Sequence, residues 1–190
     1  MHEYEIGGIK LKTGDLICTQ DGSTDNTDIR GQFWRLLGMI IPGDVDHIVI
    51  YVGPDGRCVE AGAKGKVITF EIFDHVWDYR KMFDVRGIMD NLYGIAYPLE
   101  RLTLTDAAEA RMREHVGEYC LRQAAAEKPY NLNFMNSSTE DAFYCSQLAY
   151  AAYLKEGIDL NTGKGVPAIP GTESIIFPQE IWEGCGHRKI

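Results

Sequence analysis

The 190-residue chain has no apolar run long enough to span a bilayer, and its first residues, "MHEYEIGGIKLKTGDL", lack the apolar core of a signal peptide. This argues against a membrane span and points to the cytoplasm; an exported chain from which a signal had been removed would read the same way. Basic charge is also scarce. Nineteen Lys and Arg stand against 28 Asp and Glu, the net charge is −9, and no basic run stands out. Nucleic acid and anionic membrane surfaces need clustered cations, so both partner classes are disfavoured. Cysteine is sparse: five residues, an odd number, with no C-x-x-C pair. That argues against a disulfide framework or a structural zinc site and suits a reducing compartment. No internal repeat or low-complexity segment breaks the chain. The expectation is therefore one domain over residues 1–190, long enough to bury a core without staples.

What is present alternates between strand and helix signals. Gly14-Asp15 is a turn signal ahead of a strand at Asp15–Cys18. "QDGSTDNTDIR" reads as a loop, and "GQFWRLLGMII" as a short amphipathic helix with Phe33, Trp34, Leu37 and Ile41 on one side. "DHIVIYVG" is β-branched and aromatic, Pro54-Asp55-Gly56 turns, and "RCVEAG" returns, which predicts a hairpin. "KVITFEIF" predicts a third strand and "DYRKMFDVRGI" a fourth. "LTDAAEARMREHVGEYCLRQAAAEK" predicts a helix capped by Thr105, with Asp106 and Glu109 at its positive end. Its apolar stripe is Ala108, Met112, Val116, Tyr119 and Cys120. "CSQLAYAAYLKEG" predicts a second helix ending near Gly157, and the Gly/Pro-rich tail offers one short strand at Ser174–Phe177. Strands followed by helices predict an α+β fold: an antiparallel, partly closed sheet packed against helices.

The chemistry centres on "FYCSQLAYAAY". Cys145 opens a helix, where the dipole and free backbone N–H groups favour a thiolate and could stabilise an oxyanion. His47 opens an apolar strand. With the turn at Pro54–Gly56, residues near 48–50 pair with residues near 59–61, so Glu60 falls beside His47 within a residue or two of register. A carboxylate on one ring nitrogen would fix the imidazole tautomer. Cys145 can then be nucleophile, His47 base and acid, and Glu60 orienter, although sequence alone does not place Cys145 beside His47. Asp46 is the rival orienter, but strand alternation turns it to the opposite face from His47.

Together, "GDLI", "DHIVIYVG" followed by "CVEAG", and "FYCSQLAYAAY" resemble the permuted papain-like cysteine hydrolases of the NlpC superfamily, closest to the YiiX/YebB-like branch. In ordinary papain-like enzymes the cysteine helix precedes the sheet carrying the histidine. In the permuted branch that order is reversed, as it is here. The resemblance spans Gly14 to Tyr153. It implies a circularly permuted papain-like fold and a Cys145–His47–Glu60 triad. Gln147 stands where the family often has Glu, and Asp46 where it often has Ser. The implied activity is thiol-dependent hydrolysis of an amide or peptide bond, cell-wall-type peptides being a common substrate class, through an acyl-enzyme on Cys145. The same triad would serve an acyltransferase or thioesterase, and a non-enzymatic binding module could keep the fold. The expected partner is a small peptide, amino-acid amide or acyl substrate. The chemistry requires no metal or organic cofactor, and the oligomeric state stays open.

Tyr144 and Ser146, flanking the thiol, and Tyr130, in the loop ahead of it, are the candidate substrate-binding residues. Cys18, Cys58 and Cys120 read as core, and Cys185 as an exposed thiol in a Gly-rich tail. His75 and His115 read as surface residues.

Overall fold

A computed structural model describes residues 1–23 and 42–190. The fold is α+β. A hairpin of β1 (Glu3–Ile6) and β2 (Ile9–Lys12) stands apart from a six-stranded antiparallel sheet. That sheet contains β3 (Leu16–Ser23), β4 (His47–Tyr51), β5 (Arg57–Ala61), β6 (Val67–Glu71), β7 (Met89–Tyr97) and β8 (Gly186–Lys189), in the order β6-β5-β4-β3-β7-β8. It curls into a half-barrel against helices. The helices among the described residues are α1 (Tyr79–Arg86), α2 (Asp106–Ala125), α3 (Cys145–Leu154) and α4 (Pro178–Gly184).

The β4–β5 hairpin forms as its sequence predicts. Ile50 pairs with Val59 and Tyr51 with Cys58 across the turn at Pro54–Gly56. Gly56 takes a φ of +76°, and a Cβ there would lie 2.5 Å from the Ile72 carbonyl oxygen, so glycine is required. Alternation along both strands sorts residues onto two faces. Ile48, Ile50, Val59 and Ala61 join the main core with Val116, Tyr119, Leu148, Ala152 and Tyr153 from helices α2 and α3. Val49, Tyr51 and Cys58 join a second core with Ile6, Leu11, Phe70 and Met82, beneath the β1–β2 hairpin and α1.

Helix α2 begins as expected: the Thr105 hydroxyl accepts the Ala108 N–H. Helix α3 packs on β4 and β5, which carries its first residue to the sheet. Its first turn is tied down by Gln147, whose Oε1 accepts the Tyr144 N–H at 3.2 Å and the Asn131 Nδ2–H at 2.9 Å.

Four expectations are corrected. "DYRKMFDVRGI" is not a strand but helix α1, started by the Asp78 carboxylate on the Arg80 N–H and ended by Gly87 at φ +71°. The fourth strand is instead β7, beyond it. Ser174–Phe177 is not a strand, because the Ile176 N–H donates to Tyr144 Oη and its carbonyl accepts the Ser146 hydroxyl, leaving no ladder. Residues 20–23 of the expected loop belong to β3. Cys185 is not exposed: it ends α4, 5% accessible, its N–H donating to the Ile181 carbonyl. The helix expected at Phe33, Trp34, Leu37 and Ile41 lies outside the described residues.

Candidate active site

Cys145, His47 and Glu60 come together. The imidazole of His47 and the Cys145 thiol lie close enough for each to shift the other's protonation. Its Nε2 lies 2.8 Å from Glu60 Oε2. All three are closed from solvent, at 6%, 3% and 0% accessibility. His47 and Glu60 share one face of the β4–β5 hairpin by alternation, whereas Cys145 belongs to the core on the other face. They meet because His47 is the first residue of β4, at the rim of the sheet, where the start of α3 is also laid.

Glu60 is ionised, so it accepts from His47 and the ring proton sits on Nε2. That leaves Nδ1 as the ring nitrogen available to the thiol. Burial pushes the Cys145 thiol up. The charge of the neighbouring His47 first, and then the Ile48 N–H, outweigh it, and the thiol lies below its ordinary value. Burial pulls the other way on His47, but the sulfur and the Glu60 carboxylate hold the imidazolium well above its usual range. The pair is therefore biased toward thiolate and imidazolium. The other cysteines behave oppositely: burial drives the Cys120 and Cys185 thiols up to about 12.

Behind Glu60 lies a network that the sequence reading missed. Arg86, at the end of α1, is fully buried. Its Nε donates to Glu60 Oε1 at 3.0 Å and its Nη2 to Glu60 Oε2 at 2.8 Å. Its Nη1 and Nη2 donate to Asp90 Oδ1 and Oδ2 at 2.8 and 2.9 Å. Asp90 also accepts from the Thr19 hydroxyl at 2.8 Å and the Trp77 indole N–H at 3.2 Å. Thr19 is paired with His47 across β3 and β4, so the network closes on itself. Against the desolvation that raises it, Arg86 first and His47 second bring the Glu60 carboxyl down to about 2. Helical spacing is the available signal: Met82 and Arg86, four residues apart, are the buried residues of α1, and reading that stretch as a strand hides it.

The remaining candidates divide. Asp46 turns away from the ring, as alternation requires, and its Oδ2 accepts the Gly22 N–H at 2.9 Å. Ser146 is fully buried and its hydroxyl donates to the Ile176 carbonyl at 2.7 Å, so it anchors the tail. Tyr144 Oη accepts the Ile176 N–H at 3.0 Å and its ring packs on Phe134. Tyr130, half-buried, stands edge-on to Phe134; burial and then the nearby Cys145 charge push its phenol well above the ordinary value. His75 and His115 are exposed. Among the described residues, no cluster of three or more His, Cys, Asp or Glu is arranged to hold a metal, and no helix is long and apolar enough to cross a membrane.

Comparison with protein-family models, with curated proteins and with solved structures found no match for this chain.

Proposed function

We propose that the protein is a thiol-dependent hydrolase that cleaves an amide or peptide bond through an acyl-enzyme on Cys145, as its resemblance to permuted papain-like cysteine hydrolases implies. The observation that carries this reading is the buried chain from the Cys145 thiol through His47 to the ionised Glu60. The Cys145 thiolate attacks the substrate carbonyl carbon, and the carbonyl π electrons move onto oxygen. The oxyanion is met by the positive end of α3, whose first N–H groups have no acceptor within the helix. The imidazolium delivers its Nδ1 proton to the leaving nitrogen as the C–N bond breaks, leaving a thioester. Water then gives a proton to Nδ1 and attacks the thioester. The C–S bond breaks, the carboxylic acid leaves, and thiolate and imidazolium are restored. Glu60 stays ionised throughout, holding the Nε2–H and favouring the charged ring. A small peptide, amino-acid amide or acyl compound is the substrate class this chemistry takes.

The test is the pH dependence of iodoacetamide alkylation, read cysteine by cysteine through peptide mass spectrometry, in the intact protein, His47→Ala and Glu60→Ala. The midpoint for Cys145 is expected well below the ordinary thiol value of about 8.5 and near that value in His47→Ala. The other four cysteines are internal controls and stay unlabelled. A Cys145 that behaves like a buried thiol in all three proteins sinks the reading. With the midpoint established, peptide amides and acyl esters identify the bond that is cut.

A further inference from the structure

The orienting carboxylate of that reading, on which this inference rests, occupies an expensive position. Glu60 has no solvent contact, and a buried carboxyl beside a neutral ring takes up a proton rather than keep a charge. Once protonated, it would no longer serve as a charged acceptor for the His47 Nε2–H. Two forks prevent this. One joins the Arg86 guanidinium to both oxygens of Glu60, the other joins it to both oxygens of Asp90. Four bonds fix the guanidinium plane, and its central carbon lies 4.7 Å from the ring centres of both Phe70 and Trp77. Asp90 has a second effect. Arg86 alone would cancel the Glu60 charge at His47; with Asp90 the three side chains carry one net negative charge. Stabilisation is a weak reason for such a cluster, because well-packed apolar side chains of similar volume often do as well or better.

We propose that Arg86 is a positioning residue for the reaction, keeping Glu60 charged and aimed at His47 Nε2, with Asp90 setting the orientation of Arg86. The other ionisable groups nearby do not replace it. Cys58, next to Arg86 and Glu60, is pushed well up by burial and stays neutral, and Asp46 is turned to Gly22. Without Arg86, two buried carboxylates face each other with no cation between them, and the pair takes up a proton.

The test repeats the alkylation profile with Arg86→Met and Arg86→Lys, scored only on folded protein by near-ultraviolet circular dichroism. Arg86→Met is expected to raise the Cys145 midpoint so that alkylation at pH 6.5 slows at least about tenfold, one pH unit being a factor of ten. Arg86→Lys keeps the charge but loses the fork, and falls between. A residue that only supports the fold would lower the melting temperature and leave the midpoint in place. Adding Arg86→Met to Glu60→Gln, a charge-neutral change, should produce no further shift; a further shift of equal size shows that Arg86 acts elsewhere and overturns the proposal. Should Arg86→Met not fold, Arg86→Lys and that double variant decide. A low midpoint in the intact protein that persists in the Arg86 variants defeats this inference alone. An ordinary midpoint in the intact protein defeats the reading beneath it as well.

Discussion

Arg86 and Arg113 are both held between two carboxylates, and what lies beyond the carboxylates differs. Arg113 Nη1 donates to Asp15 Oδ1 at 2.7 Å and to the Thr13 carbonyl, and Nε to Glu109 Oε1 at 2.8 Å. Asp15 then accepts the Lys12 N–H, and Glu109, on the outer side, is 30% accessible. This cluster ends on backbone and on water. It ties helix α2 to the turn between β2 and β3. The Arg86 cluster has no watered end and no backbone end at Glu60; its chain stops on an imidazole and a thiol. The same ion chemistry thus serves as a clamp in one place and, on our reading, as the support of a reacting pair in the other.

The largest expected difference is in stability. Arg86→Met leaves two fully buried carboxylates without their cation and should cost about 3–5 kcal/mol in urea unfolding. Arg113→Met leaves Glu109 in contact with water and Asp15 still bonded to the Lys12 N–H, and should cost about 1–3 kcal/mol. Equal losses would erase the distinction. The next effect is in acid. A carboxyl held below its unfolded value stabilises the fold above that value and loses the contribution as pH falls toward the folded one. For Glu60 the window runs from about 4.3 down to about 2, and about 3 kcal/mol is at stake. Burial raises the Asp15 carboxyl despite Arg113, so the sign reverses: its contribution declines as pH climbs past about 3.9. Unfolding between pH 2 and 5 should therefore show a flatter rise with pH in Glu60→Gln and a steeper one in Asp15→Asn; matching curves would contradict the assignment. The smallest effect concerns the outer carboxylates. Glu109→Gln should change stability by less than about 1 kcal/mol, because its charge is partly in water. Asp90→Asn, its counterpart at Arg86, should lose about 2–3 kcal/mol by the same assay.

The reacting pair was legible because its signals are local. A histidine opening an apolar strand, a turn that fixes register, and a cysteine opening a helix are each read within a few residues. The support behind them was not. Arg86 lies among Arg80 and Lys81 in a stretch rich in aromatic and β-branched residues, and only the helix assignment separates its buried face from their exposed ones. Strand β7 was obscured by Gly94, a weak strand former. The glycine is there because a Cβ would lie 2.3 Å from the Arg188 carbonyl oxygen and 2.6 Å from the Trp182 ring, contacts made only when β8 and α4 are in place. Helix α4 and strand β8 are short, and both take their stability from that packing.

The order in which the pieces occur along the chain bears on how the molecule is made. His47 and Glu60 are thirteen positions apart and joined by a tight turn, so their contact closes a short loop. Arg86 follows twenty-six positions after Glu60. The thiol arrives far later, and the hydroxyl next to it is anchored to Ile176, in the tail. Contacts distant in sequence form late, because a longer loop must be closed before they reward it. A growing or refolding chain would thus carry Cys145 as an ordinary sulfhydryl until α3 docks on the sheet and the tail fastens it. Reactivity would then be the last property the polypeptide acquires, and the first it loses if the C-terminal segment lets go.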